Sequence, residues 1–279
     1  MNPMRSFRFV MALVLGVSSL VAFVVAPVTA ATAVADAVLR GFERNYDYSL
    51  VVDGKVQPSA EVYQITKRVP AFLILSSALA APVMLSPGSG SVETLQLMKV
   101  LKRPDGTVDV SADAVLAPQG SFEMKGTDVV FKVDGHRLAL KQRPDLLGLQ
   151  TSSAVVAYNP LYGQGAKAYQ PSNAVVSQLK KKAQPIKVRV FFGSWCPHCR
   201  EHVPFAIKVE ELLKGSKIQF DYFGLSRGLS DAEAKKNDIR SVPTAVVYVN
   251  GKEIGRIKDS GWDAPESALA ELLASKKIS

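Results

Sequence analysis

Cysteine is scarce in this chain, and histidine is nearly as scarce. The 279 residues include two cysteines and three histidines. A framework held together by several disulfides is therefore excluded, because such frameworks need at least four cysteines. A structural zinc site with four cysteine ligands is excluded for the same reason. Whatever chemistry sulfur performs here must come from one pair.

Acidic residues are outnumbered by basic ones, 25 to 34, which gives a net charge of +9. The basic residues are scattered or stand in short lysine runs without interleaved aromatic residues: 180–182, 235–236 and 276–277. This pattern gives no indication of a nucleic-acid partner. Hydrophobic residues make up 47% and charged residues 21%, which is typical of a globular protein of one or two domains.

Both cysteines belong to one motif, Trp195-Cys196-Pro197-His198-Cys199. Residues 188–192 before it are β-branched, aromatic or basic and predict a buried strand. Apolar residues after it recur at helical spacing, at Phe205, Val209 and Leu212. A Cys-x-x-Cys pair at such a junction indicates redox chemistry, because one thiolate can attack while its neighbour resolves the product.

The wider pattern resembles the thioredoxin-like superfamily. Pro204 stands where many members have a kinking proline, and Ser241-Val242-Pro243-Thr244 precedes a strand that ends at an Asn250-Gly251 turn. The resemblance implies an α/β thioredoxin-like fold for residues 172–279, with a central mixed sheet flanked by helices. It also implies a cis proline at Pro243. The interval between Cys199 and Pro243 is too short for the helical domain that Dsb-type periplasmic oxidases insert.

The resemblance assigns roles to the motif. Cys196 would be the nucleophile and Cys199 the buried resolving thiol. His198 would stabilise the Cys196 thiolate, since a basic neighbour and a helix N-terminus both lower a thiol pKa. The Cys-Pro-His-Cys tetrapeptide is similar to that of Dsb-type oxidases, whereas thioredoxins that act as reductants usually carry Gly-Pro between the cysteines.

Three further residues are predicted to contact substrate: Trp195, Val242 and Pro243. In the family, the cis-proline loop binds substrate backbone beside the mixed disulfide. One position departs from the pattern. Thioredoxins have a buried acid six residues before the nucleophile, and here that residue is Val190. Glu201 is a conceivable substitute for the missing base.

Other uses of the cysteines are disfavoured. Zinc binding by Cys196, Cys199 and His202 would place all three ligands on one turn and lacks a fourth. A purely structural disulfide closing so short a loop would gain little chain entropy. We therefore predict no metal and no cofactor, with the dithiol itself carrying the electrons.

The N-terminus predicts export. Arg5 and Arg8 precede an apolar run over residues 9–25, and small-x-small sites follow Pro27. Residues 1–35 are interpreted as a signal peptide or, if uncleaved, as a membrane anchor through residues 9–25. Either outcome would place the dithiol in an oxidising compartment such as the bacterial periplasm or cell envelope.

The remaining segments are interpreted from turn signals and composition. Residues 36–156 contain several short β-rich stretches separated by Gly-containing turns, which predicts a mainly antiparallel domain of unknown role. The strands expected there include Tyr48–Val52 and Thr94–Leu101. Residues 157–171, rich in Gly, Pro, Tyr and Gln, are interpreted as a linker.

Together these features predict an exported thiol–disulfide oxidoreductase that oxidises protein thiols and is served by an unidentified redox partner in the envelope. Two alternatives stay open. One is a specialised reductase or isomerase, for example in cytochrome c maturation. The other is a non-enzymatic binding or assembly module that carries a thioredoxin-like domain.

Overall fold

The computed structural model describes residues 40–66 and 70–275. The predicted signal or anchor over residues 1–35 lies outside the described residues. Within the described part of the chain, no helix is both long and apolar enough to span a bilayer.

The N-terminal region, residues 40–142, consists of β-strands. They are β1 (Glu43–Asn45), β2 (Tyr48–Val52), β3 (Lys55–Val56), β4 (Glu61–Ile65), β5 (Ala71–Leu75), β6 (Val83–Ser86), β7 (Ser91–Thr94), β8 (Val100–Lys102), β9 (Val108–Val110), β10 (Ala117–Ser121), β11 (Glu123–Lys125), β12 (Asp128–Val133) and β13 (His136–Gln142). One sheet has the order β1-β4-β5-β6-β7-β10, a second has the order β11-β12-β13-β2-β3, and β8 pairs with β9. All these pairings are antiparallel, which confirms the expectation for this region.

The two larger sheets pack face to face around a shared apolar core. Ile74 of β5 and Leu85 of β6 meet Phe131 of β12 and Leu138 of β13 there. Because side chains alternate along a strand, Leu73 points to the other side of the first sheet, into a second core beneath the β8–β9 hairpin. The first sheet is therefore buried on both faces.

The single strand predicted over Thr94–Leu101 is wrong. β7 ends at Thr94, a 3₁₀ turn follows at Leu97–Lys99, and β8 begins at Val100. Leu97 and Met98 are exposed in this turn. β-propensity alone misled the prediction, since a strand also needs a partner to bond, and β7 loses its partners at this point.

The C-terminal region alternates strands and helices. Its elements are β14 (Gly148–Gln150), α1 (Ser152–Tyr158), α2 (Leu161–Ala168), α3 (Asn173–Lys180), β15 (Ile186–Phe192), α4 (Pro197–Leu212), β16 (Ile218–Gly224), α5 (Ala232–Lys236), β17 (Thr244–Val249), β18 (Lys252–Ile257) and α6 (Pro265–Ser275). The sheet order is β14-β16-β15-β17-β18. β15 and β16 are parallel, and the other pairs are antiparallel, so the sheet is mixed as expected.

The segment interpreted as a linker, residues 157–171, is largely helical. α2 lies within it, and Tyr162 and Ala166 of α2 are buried in the same core as the dithiol. The glycines that suggested flexibility serve packing here. A Cβ on Gly165 would lie 2.8 Å from Cβ of Pro204, so only glycine lets α2 approach α4 this closely.

Candidate active site

The dithiol stands at the junction between β15 and α4. Cys196 is the N-cap of α4, and Pro197 occupies the first helical position, where a missing N–H costs no hydrogen bond. Both cysteines are in the free thiol form. Cys196 retains 6% of its accessible surface, whereas Cys199, one turn later, retains none. Only one of the two sulfurs can therefore be approached from solvent.

The surroundings of Cys196 favour its thiolate. Hydrogen bonding from the Cys199 thiol is the largest influence, and burial opposes it. The backbone N–H groups of Cys199 and His198, and then the charge of His198, act in the same direction as the Cys199 thiol. Together they lower the pKa of Cys196 to about 6. These amides are the unpaired donors of the first helical turn, which favour negative charge.

Cys199 has the opposite electrostatic character. Burial raises the pKa of its thiol far above the usual range, and donation to Cys196 raises it further. The backbone N–H of Gly193 lies 3.4 Å from the Cys199 sulfur and partly offsets these effects. The pair is therefore polarised, with a thiolate at the rim and a protonated thiol inside.

The loop before β17 faces the reactive sulfur. The Val242–Pro243 peptide bond is cis, which is the isomer the resemblance implied. The Cys196 thiol donates to the carbonyl oxygen of Val242 at 3.5 Å. The indole N–H of Trp262 donates to the carbonyl of Pro243 at 2.9 Å and holds the loop from below. The backbone of the Val242–Pro243 loop and the Cys196 sulfur therefore lie side by side.

Trp195 is fixed against the other side of the motif. Its indole N–H donates to the carbonyl of Leu225 at 2.9 Å, and the guanidinium of Arg227 lies 5.7 Å from its ring centre. Gly193 makes room for the ring, because a Cβ there would lie 2.5 Å from the Trp195 ring. The half-buried ring is anchored at the edge of the site.

Comparison with known proteins covers this part of the chain. A family model described as thioredoxin matches residues 170–275. Thioredoxin-1 of Saccharomyces cerevisiae is 28% identical over 80 residues, which are 29% of this chain and 74% of that protein. Putative thioredoxin-5 of Dictyostelium discoideum is 28% identical over 109 residues, 37% of this chain and 97% of that protein. Residues 170–275 are a thioredoxin-like domain.

Among solved structures, oxidised mitochondrial thioredoxin 3 of Saccharomyces cerevisiae is 19% identical and covers 38% of this chain and 98% of its own, with a TM-score of 0.27. The family match indicates thiol–disulfide redox chemistry in general.

Two residues of the site escaped the sequence analysis. Trp262, which holds the Pro243 carbonyl, lies in a 3₁₀ turn that carries no motif. Tyr162 of α2 is buried in the core that contains both cysteines, and its hydroxyl has no hydrogen-bond partner among the described residues. Tyr162 was missed because its segment was interpreted as a linker. Burial is the main cause that raises the pKa of the Tyr162 hydroxyl, and the charge of the nearby Cys199 raises it further.

The structure places three further residues that the sequence analysis singled out. Val190, at the position of the missing acid, is fully buried among apolar side chains of the thioredoxin-like domain. Glu201 is 66% exposed and lies near His202 rather than beside the buried Cys199. His198 contributes its charge to Cys196 as the smallest of the named influences, after its own backbone N–H.

One ion pair ties the thioredoxin-like domain to the N-terminal region beside the site. Arg200, the residue after Cys199, donates to the carboxylate of Asp47 at 2.7 Å. Asp47 lies in the loop between β1 and β2, and its carbonyl accepts from the Arg143 N–H at 2.7 Å. The β region therefore contacts the first turn of the active-site helix.

Proposed function

We propose that this protein is an exported thiol–disulfide oxidoreductase that oxidises protein dithiols through Cys196 and Cys199. The observation that carries the proposal is the polarisation of the pair. A pKa of about 6 at Cys196 means that the reduced protein holds a thiolate at neutral pH. Stabilising the thiolate stabilises the reduced form, and a disulfide whose reduced form is stabilised is a stronger oxidant.

The proposed reaction begins from the Cys196–Cys199 disulfide. A substrate thiolate attacks the Cys196 sulfur, forms a mixed disulfide and releases the sulfur of Cys199, which takes up a proton because its pKa is raised. A second substrate thiol, as its thiolate, attacks the substrate sulfur of the mixed disulfide and releases Cys196 as a thiolate. The substrate gains a disulfide, and the protein holds its two electrons as the reduced pair.

The same polarity favours release of the substrate. Thiols of low pKa leave faster in disulfide exchange, and Cys196 is the leaving group of the second step. Reduction of substrates would need Cys199 to attack as a thiolate. Its burial opposes that ionisation, and Val190 supplies no acid or base to assist it. The geometry thus supports oxidation better than reduction.

The substrate is proposed to lie along the Val242–Pro243 loop. The Val242 carbonyl is within hydrogen-bonding distance of the Cys196 sulfur, so a peptide bound to this backbone would present its cysteine to that sulfur. Backbone contacts carry little side-chain preference, which suits an enzyme with many protein substrates.

The proposal places the reaction outside the cytoplasm. The support is the basic, then apolar, then small-residue pattern of residues 1–35. In such a compartment disulfides persist, and a partner protein would reoxidise the Cys196–Cys199 pair after each cycle.

The test is redox equilibrium of the full chain with glutathione, read by the fraction of protein in the disulfide form. We expect a reduction potential well above the value of about −270 mV typical of thioredoxin, toward the value of about −120 mV of strongly oxidising proteins. A value at or below the thioredoxin range would overturn the oxidant role. A dithiol that does not exchange would instead support the binding-module alternative.

Variants of His198 sharpen the test. His198→Ala removes the imidazole charge and keeps the backbone N–H, whereas His198→Pro removes both the charge and the N–H that donates to the Cys196 thiolate. We expect His198→Ala to lower the potential slightly and His198→Pro to lower it more. A tenfold change in the equilibrium constant corresponds to about 30 mV. Equal potentials for all three proteins would contradict the role given to the helix amides.

A further inference from the structure

The active-site helix carries a second group of chemistry-bearing side chains beside the dithiol. His198, Glu201 and His202 lie on one face of α4, because residues three and four apart on a helix are neighbours. Their ligand atoms all lie within 4.8 Å of one another. The charge of His198 acts on Cys196, but the redox mechanism uses neither Glu201 nor His202.

From this geometry we infer a binding site for a divalent transition-metal ion of the zinc class, formed by His198, Glu201 and His202. Two imidazoles and a carboxylate are ligands that zinc accepts, and two histidines at i and i+4 on a helix form a chelating pair. Ligand atoms of a tetrahedral zinc stand about 3.4 Å apart, given bonds of about 2.0–2.1 Å. Of the three side chains, His198 and Glu201 are exposed, so their rotation would bring the ligand atoms to this spacing.

One ligand of the set is already held in place. The ring of His202 packs edge-on against Phe205 at 5.6 Å between ring centres, and Phe205 stacks on Tyr169 at 4.1 Å. Nδ1 of His202 is buried and has no hydrogen-bond partner among the described residues, whereas Nε2 lies 3.9 Å from the Glu201 carboxylate. The aromatic contacts thus present Nε2 to the other two ligands.

The site is open on its solvent side. His198 and Glu201 are exposed, so water or a ligand from another molecule can complete the coordination. Zinc sites with three protein ligands keep such an open position, whereas purely structural sites are closed by four. The ligand set also differs from the Cys196, Cys199 and His202 group considered from the sequence, because it uses no sulfur.

Titration of the oxidised full chain with zinc, measured by isothermal calorimetry, tests the inference. In the oxidised protein both sulfurs are joined and offer no thiolate, so binding through the dithiol is removed. We expect one zinc ion per chain. His198→Ala, at an exposed position, and His202→Ala should each weaken binding by about tenfold or more, as loss of even supporting residues around a metal does.

His136→Ala is the matched control. His136 is the third histidine of the chain and lies in the β region, where its Nδ1 is 2.7 Å from the Asp53 carboxylate. Its substitution should leave zinc binding unchanged. The inference is overturned if zinc binds only the reduced protein, if the oxidised protein binds none, or if binding is insensitive to His198→Ala.

Discussion

The N-terminal β region and the thioredoxin-like domain both have apolar cores but differ in the groups that can carry chemistry. Each has cores of fully buried apolar side chains. Both also contain ion pairs, such as Arg103–Asp109 in the β region and Arg189–Asp221 in the thioredoxin-like domain, whereas the two thiols belong to the thioredoxin-like domain. Large exposed apolar side chains are found, among the described residues, only before residue 150: Val56, Leu97, Met98, Leu101, Val115, Met124, Leu147 and Leu149.

We therefore expect thiol–disulfide exchange to depend on the thioredoxin-like domain and not on the β region. Substitutions near the sulfurs should change thiol–disulfide exchange, whereas substitutions in the β region should change stability and leave the exchange intact. The ion pair between Asp47 and Arg200 joins the two regions beside the dithiol, so the separation is most open to challenge there.

The largest effect is expected from the cysteines themselves. Cys196→Ser should abolish exchange with any dithiol substrate, because the accessible sulfur is lost. Cys199→Ser cannot form the internal disulfide, but its Cys196 thiolate should attack added disulfides and accumulate as mixed disulfides, since Cys199 is no longer there to displace the bound thiol. Non-reducing gel electrophoresis and mass spectrometry distinguish the two. Accumulation on Cys199 in the Cys196→Ser protein would reverse the assignment.

Substitution of Asp109, a buried acid of the β region, should lower stability and leave thiol–disulfide exchange intact. Asp109 accepts hydrogen bonds from the Gly41 N–H at 2.7 Å and from Arg103 Nε at 2.6 Å, and the Arg103 guanidinium lowers its pKa. Asp109→Asn should cost about 1.5–3 kcal/mol of unfolding free energy, the range for hydrogen bonds to charged groups. Urea denaturation measures the loss.

The redox potential of Asp109→Asn should equal that of the wild type, and a shifted potential would contradict the separation of the two regions.

The Asp109 carboxylate also predicts that the stability of the protein depends on pH in the acid range. Its pKa is lower in the folded protein than the value of 3.8 of the free side chain. Its contribution is therefore complete above that value and is lost as the pH falls through the folded pKa.

Two buried tyrosines of the C-terminal region form a matched pair. The Tyr222 hydroxyl donates to the Glu210 carboxylate at 2.8 Å, whereas the Tyr162 hydroxyl has no partner among the described residues. Tyr222→Phe should cost about 1.5–3 kcal/mol, since a hydrogen bond to a charged group is lost. Tyr162→Phe should be neutral or stabilising, because it removes an unsatisfied polar group.

Thermal unfolding of the reduced proteins compares the two tyrosine variants. Equal destabilisation would show that Tyr162 has a bonding partner. If Tyr162→Phe also prolonged the mixed disulfides of the wild type, its hydroxyl would have a further role beside Cys199.

The smallest effect is expected at the contact between the regions. Asp47 and Arg200 are each about one-third exposed, and such pairs contribute roughly 0.2–1 kcal/mol. Asp47→Asn should lower stability by no more than this amount, and added salt should reduce the difference from the wild type. Asp238→Asn, which removes the exposed pair with Arg240, is the control within one region. A much larger loss for Asp47→Asn would show that the regions depend on each other.

The thioredoxin-like domain was largely predictable, because its signals are local. Strand, Cys-x-x-Cys and helix follow one another in the sequence, and β15 and α4 stand on either side of the motif as expected. The β14 strand and the helices α1 and α2 were not predicted, because the contacts that stabilise them are made with residues distant in the sequence. In the sequence, Gly165 suggests flexibility. The structure shows instead that glycine is needed there because Pro204 leaves no room for a Cβ. Trp262 likewise gains its place through a hydrogen bond across the fold.

The β region was predictable in class but not in pairing. Alternation along β12 and the turn at Asp134-Gly135 are local signals, and this hairpin is present. β1 pairs with β4, and β2 and β3 lie between these two strands in the chain, so no local signal marks their pairing. The largest influence on the Cys196 pKa could not be predicted from the sequence either, because hydrogen bonding from Cys199 depends on the position of its buried thiol.

The most direct test of the central claim is the pH dependence of alkylation of the reduced full chain, with each cysteine followed by mass spectrometry. The account predicts that Cys196 is alkylated first, with a midpoint near pH 6, and that its rate falls about tenfold per pH unit below that value as the thiolate is protonated. Cys199 should stay unmodified over the same range, since burial keeps its thiol protonated. Faster labelling of Cys199, or a Cys196 midpoint near the value of 9.0 of an unperturbed thiol, would contradict the account.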